Sequence, residues 1–194
     1  MKRMLLIYFF VPVMNAAAQQ NRIKAGVLGV PLFQSGFGMG NIGFERLNKQ
    51  FNSSWQIHFC VAGGSIASDA ETNNRKWVTV EKTYYLKSKK EKAHFFYSFF
   101  AETGNRITLP GHSNFKPDSI INKTKSFEVN PGVSLGWQLK IKKRWGIEML
   151  AGPKIIFASK EKQYYNSLNN QHYTVSGNHI KTGFRFMTSL YYQF

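Results

Sequence analysis

Alternation of apolar and polar side chains with a period of two recurs along most of this chain. It is clearest over residues 125–141, where the apolar positions are Phe127, Val129, Val133, Leu135, Trp137, Leu139 and Ile141. Successive side chains of an extended strand point to opposite faces, so this pattern predicts a strand with one apolar and one polar face. An amphipathic helix would instead repeat its apolar residues every three to four positions. The pattern therefore favours a fold made of sheet.

Eight segments that alternate or are dense in apolar residues follow one another, separated by turn-rich or charged breaks that are alternately short and long. We place the strands at residues 24–33, 41–48, 55–64, 76–86, 93–103, 125–141, 145–159 and 179–194. Pro131 and Pro153 fall inside two of them, and since proline cannot donate to a ladder, we expect a bulge or irregular pairing at each. The sequence predicts an all-β fold, an eight-stranded antiparallel up-and-down transmembrane β-barrel.

The first eighteen residues have the pattern of an export signal. Lys2 and Arg3 precede an apolar run over residues 4–14, and alanines at 16–18 supply the small residues that a signal peptidase needs. The run is shorter than the ~20 residues of a membrane-spanning helix. We therefore predict a cleaved signal peptide over residues 1–18 and one outer-membrane β-barrel domain over residues 19–194. Cys60 is the single cysteine, which we interpret as a small strand residue.

The chain is strongly basic, with a formal net charge of +16. Such a balance is typical of nucleic-acid-binding proteins, but an export signal directs the chain away from nucleic acid, so we expect no such partner. No apolar stretch of helix length follows residue 19. The chain can then enter a bilayer only as a closed barrel, because every backbone polar group must be paired there. An aromatic content of 15% suits such a barrel.

The face opposite the apolar one carries half of the ten acidic residues: Glu45, Glu81, Glu102, Glu128 and Glu148. On a solvated surface these carboxylates would need no partners, and that alternative stays open. Inside a barrel they would need cations, because an unpaired buried charge is very costly. The candidate partners are Lys140, Lys154, Arg185, His58 and His94. Since the side chains of an eight-stranded barrel fill its interior, we predict a plugged polar interior with a structural charge network of Glu45, Glu81, Glu128, Glu148, Lys154 and Arg185.

Lys82 falls on the apolar face of the fourth segment, between Val80 and Tyr84. A lysine there can extend its ammonium group toward lipid headgroups, or the register can shift by a bulge.

The last segment alternates in the same way, with Phe184, Phe186, Leu190, Tyr192 and Phe194 on its apolar face and Arg185 on the other. A chain that stops on an aromatic residue in such a strand resembles the closing strand of bacterial outer-membrane barrels. There the terminus is an assembly signal, so the resemblance implies the barrel-assembly machinery as a partner. We expect this strand to close against the first.

Several further stretches carry a family resemblance: Phe44-Glu45, residues 80–85, residues 132–137, the turn 142–146 and the terminal strand. They are similar to a family of small eight-stranded outer-membrane barrels of Gram-negative bacteria, common in Bacteroidota and of unknown function. The resemblance implies residence in the outer membrane and contact with its lipid. The family usually has a basic residue two places after the glutamate of the fourth strand, where this chain has Thr83. We expect a monomer.

No motif in the chain points to catalysis or to a bound cofactor. Gly36, Gly38 and Gly40 follow a strand, but no helix follows to present its N-terminus to a phosphate. His112, His172 and His179 lie in or beside two long polar connections, residues 104–124 and 160–178, and could meet over the barrel mouth. Their spacing matches no compact zinc motif, and no local signature joins Ser, His and acidic residues into a triad. We expect no enzyme activity, no cofactor and no metal.

The leading hypothesis is a non-enzymatic barrel with an envelope-structural or surface-interaction role. The aromatic residues of the long connections, Phe115, Tyr164, Tyr165 and Tyr173, could support contact with a partner or pack on one another. One alternative is a lipocalin-like or OmpW-like carrier of a small hydrophobic molecule, which requires an apolar cavity. Another is a lipid-modifying enzyme of the outer membrane.

Overall fold

A computed structural model describes residues 21–27, 38–48, 50–65, 72–86, 93–109, 120–166 and 171–194. Within these ranges the chain forms eight strands: β1 Asn21–Val27, β2 Gly38–Leu47, β3 Ser53–Ser65, β4 Thr72–Tyr85, β5 Ala93–Leu109, β6 Ile120–Lys140, β7 Trp145–Asn166 and β8 Gln171–Gln193. Consecutive strands pair antiparallel and β8 returns to β1. The predicted all-β, eight-stranded up-and-down barrel is confirmed. The proposed signal peptide lies outside the described residues.

The barrel closes where the terminal strand meets the first one. The ladder runs from Arg22 opposite Gln193 to Val27 opposite Thr188, and the amide of Phe194 donates to the carbonyl of Asn21 at 3.1 Å. The expected closure of the last strand against the first is therefore confirmed. In the described part of the chain, no helix has the length and apolar character to span a bilayer.

The later strands are longer than the sequence predicted. β5 continues to Leu109, β6 begins at Ile120, β7 continues to Asn166 and β8 begins at Gln171. The prediction of irregular loops over residues 104–124 and 160–178 is thus wrong for most of their length. Every described β8 side chain from residue 171 to 182 is exposed. Its few apolar residues, Tyr173, Val175 and Ile180, fall on both faces, so the sequence shows no clear alternation there although the backbone still pairs.

The two prolines do not shift the register of the sheet. Pro131 lies opposite Ala101 and Pro153 opposite Phe184. The β6–β7 ladder is interrupted at Pro131 but resumes in the same register, and the shift occurs between Ile121 and Lys123. Neither proline forms a bulge, but the alternative of irregular pairing is confirmed, because the β6–β7 ladder lacks a pair at Pro131 and again at Pro153. The glycine-rich stretch also differs from the prediction, because β2 already begins at Gly38.

Apolar side chains cover the outside of the barrel and polar side chains point inward. Phe59, Phe95, Leu135 and Phe184 are among the exposed residues, and Leu135 is 72% exposed. Near the short turns the outside carries a ring of aromatic residues: Trp55, Tyr84, Tyr97, Trp145 and Tyr192. Within it Tyr84 stacks on Tyr97 with 5.2 Å between ring centroids, and Trp145 lies 4.8 Å from Tyr192.

Lys82 belongs to this ring. Its Nζ lies 5.0 Å from the centroid of Trp55 and 5.6 Å from that of Tyr84. The ammonium also donates to the Ser53 hydroxyl at 3.4 Å. The β3–β4 ladder runs through this position without a register shift. The lysine therefore extends toward the turn end of the barrel, and the alternative of a bulge is wrong.

Close packing of the sheet leaves no room for a side chain at Gly152. A Cβ there would lie 1.9 Å from the Val133 carbonyl oxygen and 2.6 Å from Cα of Ser134. Both are backbone atoms, which cannot yield without moving a strand. We expect Gly152→Ala to lower the free energy of unfolding by about 1–3 kcal/mol, measured by urea unfolding followed by tryptophan fluorescence.

Gly40→Ala is the matched control, because a Cβ at Gly40 would meet no atom within 4 Å. Its free energy of unfolding should stay within about 0.5 kcal/mol of the parent. Equal losses in the two variants would contradict the packing explanation.

Candidate functional site

The charged side chains inside the barrel form three clusters along its length. The cluster nearest the short turns, called here the lower cluster, joins Arg22 and Lys24 of β1 to Glu45 of β2 and Glu148 of β7. Nζ of Lys24 lies 2.6 Å from Oε2 of Glu148 and 3.3 Å from Oε2 of Glu45. Nη1 of Arg22 lies 3.3 Å from the same Glu45 oxygen. Two cations thus face two carboxylates.

Neutral side chains complete the lower cluster. The Lys24 ammonium donates to Oε1 of Gln56 at 2.8 Å, and Arg22 donates to Oε1 of Gln138 at 2.9 Å. Gln138 donates to Glu148, and the Tyr85 hydroxyl donates to Glu45. These hydrogen bonds offset part of the cost of removing the ions from water.

The second cluster, called the middle cluster, lies farther from the turns. Nη1 of Arg185 lies 2.8 Å from Oε2 of Glu81, and its Nε lies 3.6 Å from Oε1 of Glu102. Nζ of Lys154 contacts the other Glu102 oxygen at 2.6 Å. The Arg185 guanidinium also packs over the ring of Phe100 at 4.4 Å. All four charged residues of this cluster are buried.

The third cluster, called the mouth cluster, lies toward the open end where the strands extend. Arg75 of β4 and Arg106 of β5 share Glu128 of β6, with distances of 3.1 Å to Oε2 and 3.4 Å to Oε1. Arg75 also lies 3.5 Å from Glu102 and packs over Trp77 at 4.5 Å. With its amide turned to face this guanidinium, Asn130 accepts from Arg75 at 2.7 Å.

Apolar side chains fill the space around these ions. Phe96, Leu150 and Met187 form one buried group, and Cys60, Ala62 and Trp77 form another. His58 is fully buried, with Nε2 at 3.0 Å from Oε1 of Gln56. A Cβ at the facing Gly43 would lie 2.3 Å from the His58 ring, so a glycine there makes room for the histidine.

The structure places the five acidic residues of the predicted polar face in the interior. Glu45, Glu81, Glu102, Glu128 and Glu148 are each no more than 2% exposed. Lys154 and Arg185 are buried beside them. The other candidate partners differ: Lys140 is exposed at the turn end, His58 contacts an amide, and His94 is only half-buried.

Four interior cations were missed by the sequence interpretation: Arg22, Lys24, Arg75 and Arg106. Arg22 was placed before the first strand, and Arg75 and Arg106 were placed in polar connections. Lys24 was placed in the first strand but was not considered as a partner. Their spacing carried a signal, because Arg22 and Lys24 share one face, and so do Arg75 and Glu81. Extending the strands to their true ends brings Arg22, Arg75 and Arg106 into this pattern, to which Lys24 already belongs.

The histidines do not converge as the sequence allowed. His172 and His179 lie on opposite faces of β8, both exposed, and His172 packs beside Tyr165 at 4.9 Å. His112 lies outside the described residues. Among the residues that the structure describes, no group of three His, Cys, Asp or Glu side chains could hold a metal ion. Cys60 is buried and unpaired.

Comparison of the sequence with protein-family models gave no match, and a search of curated proteins gave no significant match. The interior residues form ion pairs along the barrel, and basic residues lie toward one end of it.

Proposed function

We propose that this protein is a non-enzymatic outer-membrane β-barrel of a Gram-negative bacterium, with an envelope-structural or surface-interaction role. The observation that carries the proposal is the distribution of side chains between the two faces. Carboxylates and cations fill the interior while Phe, Leu, Ile and Val residues cover the outside.

A barrel in water would favour the opposite distribution. Leaving a large apolar side chain exposed forgoes roughly 1.5–3 kcal/mol of burial, and each buried ion costs several kcal/mol of desolvation. Lipid around the barrel removes the cost of exposing apolar side chains, because the lipid chains are themselves apolar. The apolar outside is continuous on β6 from Phe127 to Leu139.

The height of the apolar surface fits a bilayer. The Phe127–Leu139 stretch is roughly 40 Å long at about 3.3 Å per residue, and a tilt of about 45° projects it onto roughly 28 Å. The hydrocarbon core of a bilayer is about 30 Å thick. The aromatic ring at the turn end stands where tyrosine and tryptophan collect in membrane proteins.

The interior disfavours the alternative roles. A carrier of a hydrophobic molecule needs an apolar cavity, as in lipocalins, whereas this interior holds ion pairs such as Lys24–Glu148 and Arg185–Glu81. A catalytic carboxylate must reach a substrate, but Glu45, Glu81 and Glu148 are fully buried. The surface-interaction role is supported by the exposed β7–β8 extension, where Tyr164 stacks on Tyr173 at 5.0 Å.

Cell fractionation tests this proposal. We expect the protein in the outer-membrane fraction, migrating faster on an unboiled denaturing gel than after boiling, because a closed barrel resists detergent until it is heated. A cytoplasmic protein expressed from the same vector serves as the fractionation control. Recovery of the protein as a soluble periplasmic monomer without detergent would overturn the proposal.

A further inference from the structure

Cations on the inward face toward the open end of the barrel include Arg75, Arg106, Lys160 and Lys181. Arg75 lies directly opposite Arg106 in the β4–β5 ladder. Across the next two strands the same row continues through Ser126 to Lys160. Like charges directly opposite one another on a sheet are destabilising. The opposed arginines therefore need an anion beside them, and Glu128, which both contact, supplies one negative charge.

Carboxylates at the mouth do not balance these cations. Glu128 is shared by the two arginines, while Glu102 is already held by Lys154 and Arg185. Among the residues that the structure describes, no carboxylate lies within salt-bridge distance of Lys160 or Lys181. Within the described residues, these four cations face the single charge of Glu128, which leaves an excess of three positive charges.

The four cations differ in their exposure to water, which increases from Arg75 to Lys181. The Arg75 side chain is 12% exposed and that of Arg106 is 31% exposed. Lys160 is half-buried and Lys181 is exposed. Lys181 lies on β8, four residues along the strand from Gly177, which is directly opposite Lys160. Arg75, Arg106 and Lys160 lie in one row of the sheet, and all four residues lie on the inward face of their strands. Their side chains therefore extend from the sheet toward the same lumen.

We propose that the mouth cations bind a phosphate-bearing anion. A phosphate group carries the multiple negative charge that this excess calls for, and its oxygens match the guanidinium fork of arginine. Contacts with Glu128, Asn130 and Trp77 hold the Arg75 side chain in place at the inner end of the site. Arg106, Lys160 and Lys181 supply donors on the solvent side. The site goes beyond the function proposed above and does not depend on membrane insertion.

Titration calorimetry with inorganic pyrophosphate tests the site. The full chain is purified in an amine-oxide detergent, which carries no phosphate, at about 0.15 M salt to screen loose surface attraction. We expect saturable binding of one pyrophosphate. Arg106→Gln, Lys160→Gln and Lys181→Gln should each weaken it by about tenfold or more, because each removes a charge-assisted hydrogen bond.

Lys76→Gln and Lys125→Gln are the matched controls. Both lysines are exposed on the outer face, next in sequence to Arg75 and Ser126, and each variant removes the same charge. Their affinity should stay within about twofold of the parent. Heat-modifiable migration checks that every variant folds. If Arg106→Gln fails to fold, the two lysine variants carry the test, since their side chains have no ion pair to lose.

Competition distinguishes the source of the phosphate. Displacement of pyrophosphate by a phosphorylated glycolipid, but not by the same lipid without phosphate, would assign the site to a lipid headgroup. Failure of that lipid to compete would assign it to a soluble phosphate compound. Absence of saturable pyrophosphate binding, equal losses in the outer-face controls, or equal affinity for a tricarboxylate would each overturn the proposal.

Discussion

Replacing Lys24 with methionine is expected to lower the free energy of unfolding by about 3–5 kcal/mol, the usual cost of removing one partner of a buried ion pair. Lys24 is fully buried and is the single cation in salt-bridge contact with Glu148 among the described residues. Methionine fills similar space but leaves the Glu148 carboxylate without a positive charge. Urea unfolding of the refolded barrel, followed by tryptophan fluorescence, measures the loss.

Two further variants separate charge from packing. Lys140→Met removes a lysine that is exposed at the turn end of β6, so its free energy of unfolding should change by no more than about 0.5 kcal/mol. Lys24→Met combined with Glu148→Gln should recover part of the loss, because the neutral amide no longer needs a counter-ion. A double variant as unstable as the sum of the two single variants would show that Lys24 and Glu148 are not coupled.

Leu135→Arg is expected to destabilise the barrel by about 2–4 kcal/mol, the cost of a cation on the lipid face near the bilayer midplane. Leu135 is 72% exposed and lies midway along the apolar stretch of β6. In a barrel surrounded by water, an arginine at so exposed a position would cost little. The variant therefore tests the lipid-facing surface through a free energy, independently of fractionation. Unfolding in lipid vesicles is the measurement.

Ile141→Arg is the matched control for this prediction. Ile141 follows the same strand at its turn end and is also exposed, where an arginine should cost only about 0–1 kcal/mol. A gradient from Leu135 to Ile141 would support a membrane between the aromatic ring and the strand extensions. Equal, small effects at both positions would argue against the apolar surface facing lipid.

Alternation revealed the strands but not their full lengths. The stretch from Phe127 to Ile141 predicts β6 because one face there is apolar throughout. The extensions of β5, β7 and β8 were missed because their apolar residues, such as Ile107 and Leu109 in β5, are too few to show a clear alternation. Backbone pairing leaves no trace in side-chain type. Arg75 and Arg106 were missed for the same reason, since both lie in those strand extensions or beside them.

The partners of each carboxylate could not be predicted in the same way. Lys24 meets Glu148 across 124 residues of chain, and that contact exists only because β8 closes on β1 and brings β7 near. Lys140 lies on the inward face of β6 but is exposed to solvent, because it is at the end of the strand. Position along the barrel axis, which decides burial, depends on the register of all eight strands.

By itself, the sequence determined the sheet fold, the number of strands and the division of residues into two faces, because alternation is a local property of an extended chain. Tertiary structure alone decided that the carboxylates of the polar face meet cations in three clusters and that Arg75, Arg106, Lys160 and Lys181 lie on the inward face toward one end. Those contacts depend on closure and register, which bring distant strands together. The excess of positive charge at the mouth is a property of that assembly.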